Sequence, residues 1–355
     1  MSALSLILLA TVVTAQPLTN EDVLEPSVRN EADHALSRAA TNEVPVTAGA
    51  LAFAALYATN GMSATRRAID LVSSQKDGRW QMAGCDVTPV AARLLRKAAG
   101  LGEPRPKVSI FALHIEEIAH QRGISFAEAA RQVKALGFRG ADVMEDMSLE
   151  RVAELKRQGF EIPCVIGFTK FERGYDEPQC AHLIDLARRC GSRLIMLVPG
   201  FYPDGADRAA VLKAILERTN RFAAEAARQG FETVVEDFDN ERSPTFGLGR
   251  LSAFLRAAPS VGFVYDTGNF NDPGGRPEDG LGLLARVRHF HLKDHPAGGG
   301  DASVAVGSGG VPVARLVSAA RDAGYGGWFT VEHFGATNML GSAAESARFL
   351  LRQDL

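Results

Sequence analysis

Four short apolar runs in the C-terminal half of the chain each carry a polar residue at or near their C-terminal end. The runs are ETVVE, GFVYD, RHFHLKD and WFTVE, and these polar residues are Glu236, Asp266, His291 and Glu332. Each run has the length and composition of a β-strand, and a helix-like segment separates it from the next. In a barrel of alternating strands and helices, the C-terminal strand ends meet at one mouth. The pattern therefore predicts that the four side chains converge there.

The preceding segments complete a series of eight strand–helix units. The first four strands are expected at 108–113, 141–144, 163–168 and 194–198. The helices are expected at 125–136, with Ser125 as cap, and at 179–190, 207–229, 248–257, 279–286, 311–323 and 341–352. Eight units with apolar strands in about 250 residues favour a closed parallel barrel over an open sheet. No GxGxxG motif follows an early strand, which argues against a dinucleotide-binding fold. The predicted fold class is an α/β (β/α)8 TIM barrel at 107–355.

The residues before the barrel form two further predicted segments. Residues 1–15 have the apolar run and the Val13-Thr14-Ala15 ending of a secretory signal peptide, although no Lys or Arg precedes the run. This favours a periplasmic or secreted protein over a cytoplasmic one, and the alternative is an apolar first helix. Residues 16–106 are predicted to be a helical extension, since 63–72 and 87–99 have helical spacing. That extension packs on the barrel, covers its mouth or makes a homo-oligomer contact.

Composition limits the kinds of partner. The chain of 355 residues has a net charge of -3, so it has no basic field for nucleic acid. The apolar stretches near the N-terminus are too short to span a bilayer. Small neutral or anionic substrates remain. The four cysteines, Cys85, Cys164, Cys180 and Cys190, show no CxxC spacing and are expected to be buried thiols.

Three carboxylates and one imidazole make an oxygen-rich ligand set. Such a set suits one divalent ion, with Mn preferred, Mg or Co as alternatives, and Zn less favoured because no cysteine takes part. The alternative for any single residue is that it caps the following helix. Four residues at the same structural position favour the metal site.

The order of the motifs resembles the xylose isomerase-like superfamily of sugar phosphate isomerases and epimerases. The resemblance rests on Glu236, on Asp266-Thr267-Gly268, on His289-Phe-His291-Leu-Lys293-Asp294, on Gly307-Ser-Gly309 and on the segment 323–332, AGYGGWFTVE. It covers about residues 107–352. By this resemblance, Glu236, Asp266, His291 and Glu332 bind one divalent ion. Glu236 and Glu332 would also be the catalytic acid/base pair.

The implied activity is a metal-dependent sugar isomerase or epimerase. It would abstract a proton next to a carbonyl through a metal-bound enediolate, because a chelated ion stabilises the developing charge. The alternative on the same metal core is a lyase or dehydratase acting on an inosose or a 3-keto-glycoside. A non-catalytic barrel is the third reading, which the complete ligand set disfavours.

Departures from the ketohexose 3-epimerase pattern narrow the range of expected substrates and argue against a free ketohexose. Asn269, Ala297 and Arg242 stand where those enzymes carry His, Arg and Glu. The predicted contacts with a small carbohydrate substrate are His114, Asn269, Lys293 and His295. His289 points the same way as His291 but deeper, and it is expected to be a core histidine rather than a fifth ligand.

Overall fold

The computed structural model describes residues 105–270, 275–298 and 302–352, together with three short strands nearer the N-terminus. The chain divides into two units. One comprises residues 1–105 and 317–326, and the other comprises residues 106–316 and 327–355. The second unit contains the barrel strands and all the site residues discussed below.

The described residues before Arg105 are strands, which differs from the predicted helical extension. Strands β1 (Ser74–Lys76), β2 (Arg79–Met82) and β3 (Cys85–Asp86) form an antiparallel sheet in that order. Alternation of Arg79, Trp80 and Gln81 suits a strand, and the helical spacing on either side masked this signal. The predicted signal segment and the predicted helices at 63–72 and 87–99 lie outside the described residues.

Eight parallel strands close into a barrel, which confirms the predicted fold class. They are β4 (Lys107–Phe111), β5 (Gly140–Met144), β6 (Cys164–Phe168), β7 (Leu194–Val198), β8 (Glu232–Glu236), β9 (Gly262–Asp266), β10 (Val287–Lys293) and β11 (Trp328–Glu332). Sequential strands pair along the chain, and β11 pairs with β4 to close the ring. Every strand therefore presents its C-terminal end at the same mouth.

Helices follow the strands around the ring. They are α1 (Ala112–Arg122), α2 (Phe126–Ala135), α3 (Leu149–Arg157), α4 (Glu177–Cys190), α5 (Arg208–Arg228), α6 (Gly247–Ala257), α7 (Val313–Asp322) and α8 (Met339–Leu350), with a 3₁₀ helix at Pro277–Arg286. The predicted cap is confirmed, because Ser125 Oγ accepts from the Glu128 amide at 3.2 Å.

Two of these helices, α1 and α3, were not predicted. Helix α1 begins directly after β4, where Phe111 provides no capping side chain and the first turn has no acidic residue. A sequence reading that depends on caps therefore extends the strand through Leu113. The helix ends at Gly123, whose φ of 62° is the left-handed conformation that glycine adopts most readily.

The barrel interior has an apolar side and a polar side. The apolar cluster is formed by strand residues that point inward, namely Phe111, Cys164, Ile166, Met196, Val198, Val234 and Val264. The polar side consists of Ser109, Asp142, His289, His291 and Thr330, all at most 1% exposed. Buried polar groups must pair with each other to avoid a desolvation cost, so this half of the interior requires a hydrogen-bond network.

Three of the four cysteines are buried and free, as expected for structural thiols. Cys164, Cys180 and Cys190 form no disulfide, and burial raises the pKa of the Cys180 thiol to about 11. Among the helices in the described part of the chain, none combines the length and apolarity that crossing a membrane requires.

Candidate metal centre

Strand register brings the predicted ligands to one side of the barrel mouth. Asp266 on β9 is level with His291 on β10, and Lys293 on β10 is level with Glu332 on β11. Glu236 ends β8, the strand on the other side of β9. Because alternate residues of a strand face the same way, His289, His291 and Lys293 all point into the barrel.

The four predicted ligands meet as a single group. One potential ligand atom from each of Glu236, Asp266, His291 and Glu332 lies within 4.8 Å of the others. The His291 Nδ1 atom contacts the Glu236 carboxylate, and it lies 3.9 Å from Glu332 Oε2. The arrangement has the ligand types that bind a divalent ion.

Because these four side chains are buried, ionising them carries a desolvation cost. Burial raises the pKa of Asp266 well above its usual value, and the carboxylates of Glu332 and Glu236 raise it further. Burial also raises the pKa of Glu236. For His291 burial acts in the opposite direction, but Glu236 and Asp142 raise the pKa of the imidazole well above its usual range. These carboxylates need a positive charge among them to stay ionised.

Lys293 supplies one such charge at the edge of the group. Its Nζ atom lies 2.6 Å from Glu332 Oε1 and 3.7 Å from Asp266 Oδ2. It also donates to Asn269 Oδ1 at 2.7 Å. Burial acts to raise the pKa of Glu332, but Lys293 and His291 bring it below its usual value. Lys293 therefore compensates one carboxylate and leaves two others close together.

The remaining side chains fit a divalent cation. Asp266 Oδ2 is buried, and within the described residues nothing forms a hydrogen bond to it, although Asp266 Oδ1 accepts from the Gly268 amide at 2.7 Å. A buried carboxylate oxygen without a hydrogen-bond partner is a natural ligand atom, since an ion would satisfy it and reduce repulsion from Glu236. Oxygen ligands with one imidazole suit Mg or Mn.

A buried network below the group holds His291. Asp142 Oδ2 lies 3.4 Å from His291 Nε2, 2.7 Å from His289 Nε2 and 2.9 Å from the Thr330 hydroxyl. Thr330 also pairs with Ser109 at 2.6 Å. Asp142 therefore faces Nε2 of His291, and it would favour a proton on that atom if Nδ1 gave up its own proton to bind an ion.

His289 behaves as a core histidine is expected to. It is 0% exposed, and Asp142 and Thr330 both contact its Nε2 atom. Asp142, His289 and His291 also lie close enough together to form a second group of potential ligands. The hydrogen bond between His289 and Asp142, and the 3.4 Å contact of His291 Nε2 with Asp142 Oδ2, explain their proximity without an ion.

Substitution of Asp142 tests its role in positioning. In Asp142→Asn the amide oxygen replaces one acceptor without the charge, so orientation of the His291 ring is weakened. Loss of such a supporting partner typically lowers metal affinity about 10- to 100-fold, and we expect that drop for Mn. Calorimetric titration of the chelator-treated protein measures it. Asp185→Asn, on α4 with its side chain 44% exposed, is the matched control, and equal Mn affinities of the two variants would contradict the prediction.

A cavity of about 280 Å³ opens above the group. Glu236, His291 and Glu332 line it, while Asp266 lies beneath. Three of the four predicted substrate contacts, Asn269, Lys293 and His295, also line this cavity. His295 is fixed by a contact of its Nε2 atom with the Gly268 carbonyl at 3.1 Å. The roles of these three residues stay predictions, but their position suits them to contact a substrate.

His114 lies elsewhere. It does not line the cavity, and its Nε2 atom accepts from the His333 amide at 2.9 Å. Burial and, to a smaller extent, the neighbouring His333 lower the pKa of His114 to about 3, so the ring is neutral. It belongs to the wall of a second depression, between the start of α1 and the loop after β11. In this structure His114 connects two strand ends rather than reaching the predicted site.

Sequence reasoning missed two sets of residues. Asp142 is one, because it appears as a single polar residue within β5. The second set is a group of aromatic side chains at the cavity, Phe111, Phe168, Phe238 and Phe334. The sequence signal for them is position, since all four lie at or just after the C-terminal end of a strand.

Asp294 organises the loop that follows β10. Its carboxylate accepts from the amides of Gly307, Gly309 and Val311 at 2.9, 3.0 and 3.0 Å. A Cβ atom on Gly309 would lie 2.1 Å from the His295 carbonyl oxygen, so the loop requires glycine there. The Lys293-Asp294 and Gly307-Ser-Gly309 motifs are therefore two halves of one structural unit.

The sequence was also compared with known protein families. A family model described as xylose isomerase-like TIM barrel matches residues 117–353. The chain belongs to this family. A comparison with curated proteins gave no match.

Solved structures of the same fold include proteins of several kinds. A xylose isomerase-like TIM barrel protein from Mycobacterium smegmatis in complex with magnesium is 23% identical with a TM-score of 0.52, and the match covers 64% of this chain and 87% of that one. The probable 3-DHS dehydratase AsbF from Bacillus anthracis is 17% identical with a TM-score of 0.56, covering 69% and 99%. D-allulose 3-epimerase from Methylomonas sp. is 16% identical with a TM-score of 0.55, covering 70% and 98%. At these levels of sequence identity the similarity supports a shared fold and not a shared activity.

Proposed function

We propose that the protein is a divalent-metal-dependent sugar isomerase or epimerase that abstracts a proton next to a carbonyl. One observation carries the proposal: the two glutamates and the histidine of a four-residue ligand group line a cavity at the barrel mouth. Active sites of (β/α)8 barrels lie at this face. The ion would be held by Glu236, Asp266, His291 and Glu332, and when bound it supplies Lewis-acid stabilisation of negative charge on substrate oxygens.

The two glutamates are the proposed acid and base. Glu236 comes from β8 and Glu332 from β11, so they reach the cavity from opposite sides of β9 and β10. A carboxylate on each side of a carbon acid can remove a proton from one face and return one to the other. Lys293 holds Glu332 in place at 2.6 Å and helps to keep it ionised, as a base must be.

Proton removal is shared by three outcomes. Return of the proton to the same carbon gives an epimer, transfer to the neighbouring carbon gives an isomer, and loss of a β-substituent gives an unsaturated ketone. Elimination makes the protein a lyase or dehydratase on a cyclic ketone such as an inosose or a 3-keto-glycoside. The same four ligands and the same base serve each case.

Hydrogen exchange with solvent tests the shared step. We expect the Mn-loaded protein in deuterated water to exchange a C–H proton of at least one member of a panel of ketoses, inososes and 3-keto-glycosides. NMR detects the exchange, and a new ultraviolet absorbance of an enone separates elimination from epimerisation. A metal-saturated protein that exchanges no proton in any member of the panel would refute the proposal.

A further inference from the structure

The cavity at the barrel mouth has one polar wall and one apolar wall. The polar residues come from β8 to β11 and the loops after them: Glu236, Asp239, Asn269, His291, Lys293, His295, Ser303 and Glu332. The apolar residues come from β4 to β7 and the loops after β8 and β11: Phe111, Met144, Ile166, Phe168, Met196, Phe238 and Phe334. Because β11 neighbours β4 and β7 neighbours β8, the apolar residues form one continuous arc.

Aromatic pairs mark both ends of this arc. The rings of Phe111 and Phe334 are 5.7 Å apart, and those of Phe168 and Phe238 are 6.1 Å apart, each in an edge-to-face arrangement. Phe168 is 39% exposed and Phe334 is 43% exposed, so both present apolar surface at the cavity. Such apolar surface beside a few convergent polar groups is typical of a ligand site that takes an apolar group.

The polar wall offers little to an anionic substrate. Its lysine, Lys293, is already within 3.7 Å of Glu332, Asp266 and Asp239. Among the described residues that line the cavity there is no arginine. The ionised carboxylates of Glu236, Asp239, Asp266 and Glu332 carry four negative charges. A bound divalent ion and Lys293 together supply three positive charges, so the site stays negative.

Backbone amides are the other usual means of binding phosphate. In barrels of this type a phosphate is commonly held by amides in the loops after the last two strands. Here the amides of Gly307, Gly309 and Val311, in the loop after β10, donate to the Asp294 carboxylate. In the loop after β11, the His333 amide donates to His114. These four amides are therefore already paired, three with the Asp294 carboxylate and one with the His114 ring.

From this arrangement we infer that the substrate is an uncharged polyhydroxylated ketone that carries an apolar substituent, and not a phosphate ester. The inference rests on the proposed function, since the oxygens at the reacting end are placed at the ligand group. The substituent lies against the arc from Phe334 to Phe238. Its burial adds binding free energy on the side of the cavity where hydroxyl groups would lose hydrogen bonds.

Three derivatives of one keto-glycoside provide the test: a methyl glycoside, a phenyl glycoside and the methyl glycoside carrying a phosphate. Exchange of the C–H proton is followed with the Mn-loaded protein in deuterated water. We expect kcat/KM for the phenyl glycoside to be at least about tenfold higher than for the methyl glycoside, and the phosphate to be the poorest of the three. A phosphate derivative that is exchanged fastest, or equal rates for all three, would overturn the inference.

Substitutions in the aromatic arc test whether its rings cause the preference for the phenyl glycoside over the methyl glycoside. Phe168→Ala and Phe334→Ala remove exposed rings, so both proteins should fold, and each should reduce the phenyl-to-methyl ratio by about fivefold or more. Leu149→Ala is the matched control, because Leu149 is 45% exposed and does not line the cavity. Its ratio should equal that of the natural protein. An unchanged ratio in both phenylalanine variants would contradict the assigned wall.

A binding measurement separates failure of this inference from failure of the proposed function. Calorimetry with the corresponding unreactive alcohols, phenyl, methyl and phosphorylated, does not depend on turnover. Absence of exchange with a preference for the phenyl alcohol rejects the proposed reaction and keeps the ligand class. Exchange with a preference for the phosphate keeps the reaction and rejects the ligand class. If there is no exchange and no preference for the phenyl alcohol, both the proposed reaction and the ligand class are rejected.

Discussion

Glu332→Gln is expected to lower the rate of substrate C–H exchange by about 10² to 10⁴. Glutamine has nearly the shape of glutamate, and its amide oxygen can still accept from Lys293 Nζ, which lies 2.6 Å from Glu332 Oε1. It cannot take up a proton at neutral pH. The variant should therefore keep the fold and the cavity while losing the base, and deuterium incorporation measured by NMR gives the ratio of rates.

The control for this variant must separate loss of the base from loss of the ion. Exchange is measured at Mn concentrations that saturate each protein, as determined by titration, so that weaker metal binding does not lower the rate. Glu345→Gln makes the same chemical change at an exposed position on α8 and should leave the rate unchanged. Exchange at the natural rate in metal-saturated Glu332→Gln would assign the base to another residue.

The barrel could be predicted because its signals are local. Each barrel strand is a run of five to seven residues, and the helices after β5, β6, β7 and β11 begin at a side-chain cap. A side chain at or near the end of a strand then lies at the mouth, so Glu236, Asp266, His291 and Glu332 could be placed there from position alone. Helix α1 could not be predicted in this way because no capping residue marks its start after Phe111.

The supporting residues could not be predicted because their signals are distant in sequence. Asp142 meets His289 across 147 residues, and Ser109 meets Thr330 across 221 residues. Only the closure of β4 against β11 creates the second contact. His114 shows the converse case, since it stands at a strand end like the ligands, but the first turn of α1 directs it to the His333 amide. Position at the mouth therefore selects candidates, and packing decides which of them face the cavity.

Asp266→Asn is expected to lower the affinity for Mn by more than about 100-fold, since loss of a residue that merely supports a ligand already costs 10- to 100-fold. The natural carboxylate is 0% exposed and adjoins Glu236, Glu332 and His291 within the ligand group. The asparagine can keep the hydrogen bond from the Gly268 amide, which lies 2.7 Å from Asp266 Oδ1. What it removes is the negative charge at Oδ2. Calorimetric titration of the chelator-treated protein measures the change.

Thermal unfolding provides a second, independent measure of the same loss. An ion that binds only the folded state stabilises it by about 2.7 kcal/mol when its free concentration is 100 times the dissociation constant. We expect Mn to raise the unfolding temperature of the natural protein and to have almost no effect on Asp266→Asn at the same concentration. Asp185→Asn, on α4 with its side chain 44% exposed, should respond to Mn like the natural protein. If Mn stabilises Asp266→Asn as much as the natural protein, the ion binds elsewhere, because removal of a ligand charge from the binding group must reduce the linkage between binding and folding.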